Sequence, residues 1–216
     1  VVSLAQAPSG TLWVGTYGSG INRLEPTAKD GFVRRQFDLQ LPDQRIMALW
    51  AEDDDNLWFG TRTGGLCHLQ LTSMDKVCLV HDDADVNSLS ANGVTSILGE
   101  DDSIWVGTYG GGLNRIDRST GRVSHFRHDD NDDRSLGSDR VLAIYRDSQG
   151  FLWVGAEGGG LNLFREKDKT FERYQSSDND SYSISNDTAW EIFESRDGTL
   201  WVGTLNGGVN AWTLAD

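Results

Sequence analysis

Apolar residues along this chain come in short stretches, none longer than a handful, separated by clusters rich in Gly, Asp, Asn and Ser. One apolar phrase keeps returning. Leu12-Trp13-Val14-Gly15-Thr16 recurs as Leu57-Trp58-Phe59-Gly60-Thr61, Ile104-Trp105-Val106-Gly107-Thr108, Leu152-Trp153-Val154-Gly155-Ala156 and Leu200-Trp201-Val202-Gly203-Thr204. The five tryptophans Trp13, Trp58, Trp105, Trp153 and Trp201 are spaced by 45, 47, 48 and 48 residues. A fixed period of this size marks a repeat architecture. Each repeat reads as four short strands. In the third, strand a covers Val94 to Glu100, strand b Ile104 to Thr108, strand c Leu113 to Asp117 and strand d Arg122 to His128. The a–b links (Asp-Asp-Ser, Asp-Ser-Gln-Gly, Arg-Asp-Gly) carry hairpin chemistry. The b–c links are glycine runs such as Gly110-Gly111-Gly112, where φ > 0 and close backbone approach are tolerated.

Strand b is apolar on both faces, whereas a sheet with one wet face alternates apolar and polar residues. Both faces must therefore be covered, as happens when four-stranded blades stack around an axis. The periodic segments are too short and too rich in β-branched and aromatic residues for a helical solenoid. The expected fold is an all-β propeller of about five four-stranded antiparallel blades, at 1–38, 39–81, 82–128, 129–175 and 176–216. The d–a connections are the longest, and in a propeller they share one face with the b–c loops. That face is where ligands are expected.

The phrase running from Leu12 to Leu24, its counterpart Ile104 to Ile116, and the acidic stretch His128 to Leu136 resemble the two-component-regulator propeller repeat. The resemblance returns five times and departs in the second repeat, where Arg62-Thr63-Gly64-Gly65 and Cys67-His68 replace the glycine loop and an Asn-Arg pair. It implies an extracytoplasmic (periplasmic) sensor module of a bacterial transmembrane protein. The implied output is a hybrid histidine kinase or a GGDEF-type diguanylate cyclase. It further implies seven blades in a full propeller. Counting strands points the same way: strand a opens the first repeat, and the fifth ends after strand c (Val209 to Leu214). An unpaired strand edge is a pairing liability. The expectation is an incomplete arc of a larger ring, with pairing of two copies through open edges as the alternative and a five-bladed ring third.

Composition narrows the partners. The formal net charge of −14 disfavours nucleic acid and anionic membranes. With 38% hydrophobic residues and no long apolar run, nothing in this region is expected to span a bilayer. Neither a metal nor a cofactor is expected. The four histidines lack metal spacing, and the acidic clusters at Asp82 to Asp85, Asp129 to Asp133 and Asp178 to Asp180 match no Ca²⁺ loop and read as solvated. No nucleophile–base arrangement or carboxylate pair suggests catalysis.

Variable positions inside the fixed frame are the candidate binding residues. Just after strand b stand Tyr17, Arg62, Tyr109, Glu157 and Leu205; at the approach to strand a stand Arg45, Asn92, Asp139, Arg140 and Asn186. The third residue of strand a is Ser3, Ala48, Ser96, Ala143 and then Glu191, a carboxylate that could meet a polar ligand or pair with Arg140. These groups would suit an oligosaccharide or another polar small molecule, with Tyr17 and Tyr109 as platforms. The motif tryptophans are expected to pack between blades. Cys67 and Cys78 flank a c–d hairpin turning near Ser73, so they should face each other across two strands, as a disulfide or as two free thiols. The leading expectation is a sensor module, followed by a protein-interaction scaffold and then by a polysaccharide-active lyase or hydrolase.

Overall fold

The structure, a computed structural model, describes residues 1–29, 31–35 and 39–213. The described residues hold strands and no helix, arranged as the five antiparallel blades of a β-propeller. Blade one comprises β1 (Ser3–Gln6), β2 (Leu12–Gly15), β3 (Ile21–Pro26) and β4 (Phe32–Arg35). Blade two comprises β5 (Ile46–Ala51), β6 (Asn56–Thr61), β7 (Leu66–Gln70) and β8 (Lys76–Leu79), and blade three β9 (Val94–Gly99), β10 (Ser103–Thr108), β11 (Gly112–Asp117) and β12 (Val123–Phe126). Blade four holds β13 (Val141–Arg146), β14 (Leu152–Ala156), β15 (Gly160–Arg165) and β16 (Thr170–Tyr174). Blade five holds β17 (Ala189–Glu194), β18 (Thr199–Thr204) and β19 (Gly208–Thr213), with residue 214 outside the described range. Strand order within every sheet follows the chain. The chain divides into two compact units, Val1–Val106 with Arg115–Val123 and Gly107–Asn114 with Ser124–Asp216, described separately below.

In the first unit β1 lies beside β5 and β5 beside β9; in the second, β13 lies beside β17. First strands thus stack blade on blade, and the repeated glycine explains how closely. The motif glycine pairs with the third residue of strand a, as in Ser3↔Gly15, Ala48↔Gly60, Ala143↔Gly155 and Glu191↔Gly203. A Cβ on Gly15 would stand 2.8 Å from Ile46 Cγ2, on Gly60 2.4 Å from Val94 Cγ1, and on Gly155 2.5 Å from the Ala189 carbonyl oxygen. Each neighbour is the first residue of the next blade's strand a. Only a residue without a side chain admits such an approach.

The motif tryptophans obey the same geometry. Trp13 packs in a cluster with Ile46, Leu49, Phe59 and Cys67 of blade two, and Trp153 in one with Ile184, Ala189, Val202 and Trp212 of blade five. Trp13, Trp105 and Trp153 are buried, but Trp58 is only half-buried and Trp201 is 40% exposed. Trp58 still packs against the cluster of Val94, Ile104 and Val106 in blade three, so the expected packing between blades is corrected for Trp201. Trp13 and Trp153 are covered by the following blade, and among the described residues no strand follows blade five. For the same reason Gly203 has room: a Cβ there would meet nothing nearer than Glu191 Cβ at 3.8 Å. Four of the indole N–H groups donate to the a–b hairpin: Trp58 to Glu52 (2.8 Å), Trp105 to Glu100 (2.9 Å), Trp153 to Asp147 (2.7 Å) and Trp201 to Ser195 (2.9 Å). A buried indole needs such a partner.

Polar hubs hold the loops. Buried Asn162 donates from Nδ2 to the carbonyls of Val154, Gly159 and Gly160, and its Oδ1 accepts the Gly137 N–H at 2.8 Å. Asn210 plays a similar part in blade five, donating to Ser185 and Val202. Blade two has Cys67 at this register position, directly opposite Cys78, and the two form a disulfide with Cα atoms 4.0 Å apart.

Candidate functional site

The residue that follows strand b leaves the sheet and meets the next blade. Tyr17 forms an isolated bridge with Arg45, fixed by the Ile46 N–H donating to Thr16 (2.9 Å) and the Gly20 N–H donating to Gln44 (3.0 Å). In the second unit Tyr109 bridges Arg140 in the same manner, with the N–H groups of Gly110 and Gly112 both donating to the Asp139 carbonyl at 2.9 Å. Within the receiving blade, the Arg62 N–H donates to the Arg45 carbonyl (3.1 Å) and the Glu157 N–H to that of Arg140 (2.8 Å). One backbone frame thus assembles two clusters of three side chains. They are Tyr17, Arg45 and Arg62 in the first unit, and Tyr109, Arg140 and Glu157 in the second.

Both tyrosines are exposed, Tyr17 at 53% and Tyr109 at 49%, and each carries a guanidinium over its ring. Arg62 Cζ is 5.8 Å from the Tyr17 ring centre, and Arg140 Cζ is 5.6 Å from that of Tyr109. The clusters then diverge in charge. Glu157 accepts the Tyr109 hydroxyl at 2.9 Å and pairs with Arg140 at 3.0 Å, so the second cluster is neutral. In the first, Arg45 is engaged by Asp43, with Nε–Oδ1 and Nη2–Oδ2 both 2.9 Å, while it also interacts with the Tyr17 side chain. The same carboxylate accepts the Thr63 N–H (3.0 Å) and hydroxyl (2.7 Å). The Arg45 hydrogen bond holds the Asp43 carboxyl well below the usual carboxylate range, and the pair raises Arg45 further. Asp43 is thereby matched, and no ion pair engages Arg62 among the described residues.

The remaining predicted site residues fall elsewhere. Asn92 Oδ1 accepts the His81 N–H (2.7 Å), Asp139 Oδ1 the His128 N–H (2.7 Å), and Asn186 Oδ1 the Thr188 N–H (2.9 Å). These side chains are occupied in shaping the d–a loops. Glu191 stands opposite Gly203 on exposed ground, and Arg140 pairs with Glu157 rather than with it. Although Glu191 is exposed, partial burial of its carboxyl against protein raises its pKa above the ordinary value. Leu205 is exposed, with its N–H on the Thr188 carbonyl (3.0 Å). Asp43 and Thr63 escaped the sequence reading. An aspartate two residues before a predicted site arginine, able to form an Asx turn, was the available signal.

Loop aspartates mostly serve the backbone: Asp82 accepts the Ala84 N–H, Asp85 that of Asn87 and Asp129 that of Asn131, each at 2.9 Å. Among the described residues no group of three or more His, Cys, Asp or Glu side chains could hold a metal ion.

Comparison with known proteins follows the same frame. A family model described as "Two component regulator propeller" matches residues 135–158 and 183–206, each running from the end of a d–a loop through strands a and b. No curated protein matches the chain in sequence. The extracellular domain of BT4673 from B. thetaiotaomicron, described as a hybrid two-component system, superposes with a TM-score of 0.74 at 22% identity, covering 97% of this chain and 26% of that one. PorZ, a surface component of the type-IX secretion system of Porphyromonas gingivalis, superposes with a TM-score of 0.66 at 17% identity, covering 97% of this chain and 32% of that one. This chain thus spans about a quarter to a third of those structures. One Trp-Gly register runs through all five blades of this β-propeller, and blades four and five match the two-component regulator propeller model.

Proposed function

We propose that this chain is the extracytoplasmic sensing propeller of a bacterial transmembrane signalling protein. In this reading it binds a polar small molecule, such as an oligosaccharide, at its tyrosine–arginine clusters. The observation that carries this reading is the contrast between frame and cluster. Tryptophans, glycines, the Asn162 hub and the d–a loop residues are consumed by packing and backbone hydrogen bonds, while an exposed tyrosine ring with an adjacent guanidinium recurs at one frame position. A rigid scaffold with exposed, variable side chains at its loops is a common way to build recognition. The Cys67–Cys78 disulfide favours an oxidising compartment, where such bonds persist. The repeat family and the fold shared with an extracellular two-component domain support the same setting. Ligand binding is then relayed across the membrane to a kinase or cyclase output. The test is calorimetric titration with a panel of neutral and acidic oligosaccharides, on the wild type and on a Tyr17→Ala/Tyr109→Ala/Arg140→Ala variant. We expect binding that the triple change abolishes; binding that survives it, or no binding across the panel, overturns the reading.

A further inference from the structure

The two clusters share one backbone frame but not one charge, and the difference selects a ligand. Position by position, Tyr17 corresponds to Tyr109, Arg45 to Arg140 and Arg62 to Glu157. In the second cluster the carboxylate sits within the trio and takes both the guanidinium and the phenol. In the first, the carboxylate of Asp43 stands outside the trio and neutralises Arg45. What remains at the surface is Arg62, exposed, seated on the Tyr17 ring and without an ion-pair partner among the described residues.

A guanidinium lying against an aromatic face is held by the ring quadrupole while its in-plane N–H groups stay free. Those N–H groups form a rigid fork that matches a carboxylate bidentately. The neighbouring Thr63 hydroxyl is already donated to Asp43, which fixes the loop carrying Arg62. We infer that the Tyr17–Arg62 pair is an anion-recognition site, and that the molecule it takes carries a carboxylate, as a uronic-acid sugar does. Arg62 makes the contact and Tyr17 positions it. The second cluster, neutralised from within, takes uncharged polar groups. This inference rests on the sensing role proposed above and narrows it to an acidic ligand at one of the two clusters.

The experiment reads each arginine separately. The wild-type chain is titrated with an oligogalacturonide, a neutral galacto-oligosaccharide and inorganic sulfate, while side-chain Nε–H resonances of Arg62 and Arg140 are followed by NMR. The oligogalacturonide should move Arg62 and leave Arg140 in place, and the neutral sugar should leave Arg62 unmoved. Arg62→Gln should weaken oligogalacturonide binding at least roughly tenfold, the usual scale for losing a charge-assisted hydrogen bond. Arg62→Lys should recover only part of it, because a point charge lacks the fork. Glu157→Gln, by freeing Arg140, should make that residue respond to the acidic sugar as well. Sulfate shifting Arg62 as strongly as the oligogalacturonide would overturn the carboxylate assignment. A neutral sugar that binds through the tyrosines, with Arg62→Gln without effect, would overturn this inference and leave the sensing proposal standing. An Arg62 resonance unmoved by every probe overturns the inference outright, and absence of any saccharide binding removes both.

Discussion

Blades two and four present the same loop position to their surroundings, yet they are stabilised differently and end in opposite charges. Blade four relies on Asn162, a fully buried amide that ties strand β14, the glycine run and the preceding loop together. Blade two has no such amide and joins β7 to β8 covalently through Cys67 and Cys78. At the tip, blade four places Glu157 beside Arg140, whereas blade two places Arg62 there and moves the carboxylate two residues ahead of Arg45, to Asp43. The lesson is that a repeat can exchange its internal fastening and its surface charge while the Trp-Gly frame stays constant. Frame and cluster are governed by different forces: steric exclusion at the glycine, and pairing of charges at the rim.

The comparison can be broken at four points, the largest expected effect first. Asn162→Ala leaves a backbone N–H and several carbonyls without their partner in a buried site, which should cost about 3 kcal/mol in chemical denaturation. The same change at Asn210, which is less buried, should cost clearly less; equal losses would mean that Asn162 is not a special hub. Removing the disulfide with Cys67→Ser/Cys78→Ser should lower stability by roughly 2–3 kcal/mol, since the closed loop is short. A reducing agent should lower the melting temperature of the wild type and leave this variant unchanged.

Asp43→Ala should cost about 2 kcal/mol, because Arg45 and Thr63 lose a nearly buried acceptor. Folding lowers the Asp43 pKa, so its contribution is present above the ordinary carboxylate value of about 4 and fades as pH falls through the folded value. The stability gap between wild type and Asp43→Ala, full at pH 7, should therefore narrow below about pH 4. A gap that widens on acidification would refute this assignment. The smallest effect belongs to Glu157→Gln. Its pair with Arg140 is more than half exposed on the arginine side and should contribute under about 1 kcal/mol. Thermal melts of this variant should stay within a degree or two of wild type, so its consequence belongs to binding rather than to stability.

Much of the frame was legible along the chain. A phrase of Trp followed two residues later by Gly, repeated at a near-constant interval between turn-rich stretches, leaves little choice but stacked short strands. Tyr17, Arg62, Tyr109 and Glu157 also stood out, because they vary where their neighbours repeat. Less legible was which side chains would meet. Tyr17 touches Arg45 of the next blade, and no local spacing announces a contact across 28 positions of chain. Asn92 and Asp139 looked like a polar channel mouth but face backbone N–H groups, since short Asn and Asp side chains compete well for nearby donors. Asp43 passed unnoticed because its role depends on Thr63, twenty residues onward.

The sequence by itself determined the class of fold, the number of repeats, the register of the Trp-Gly motif and the opposed placement of Cys67 and Cys78. These follow from local sterics and from the two-residue period of strands, which act over a few neighbours and are written directly in residue order. Only the tertiary structure decided which tryptophans are covered, which carboxylate neutralises which arginine, and that Arg62 is left over. Burial and charge pairing depend on what the neighbouring blade brings within a few ångströms, and each blade brings a different set of side chains to the same place.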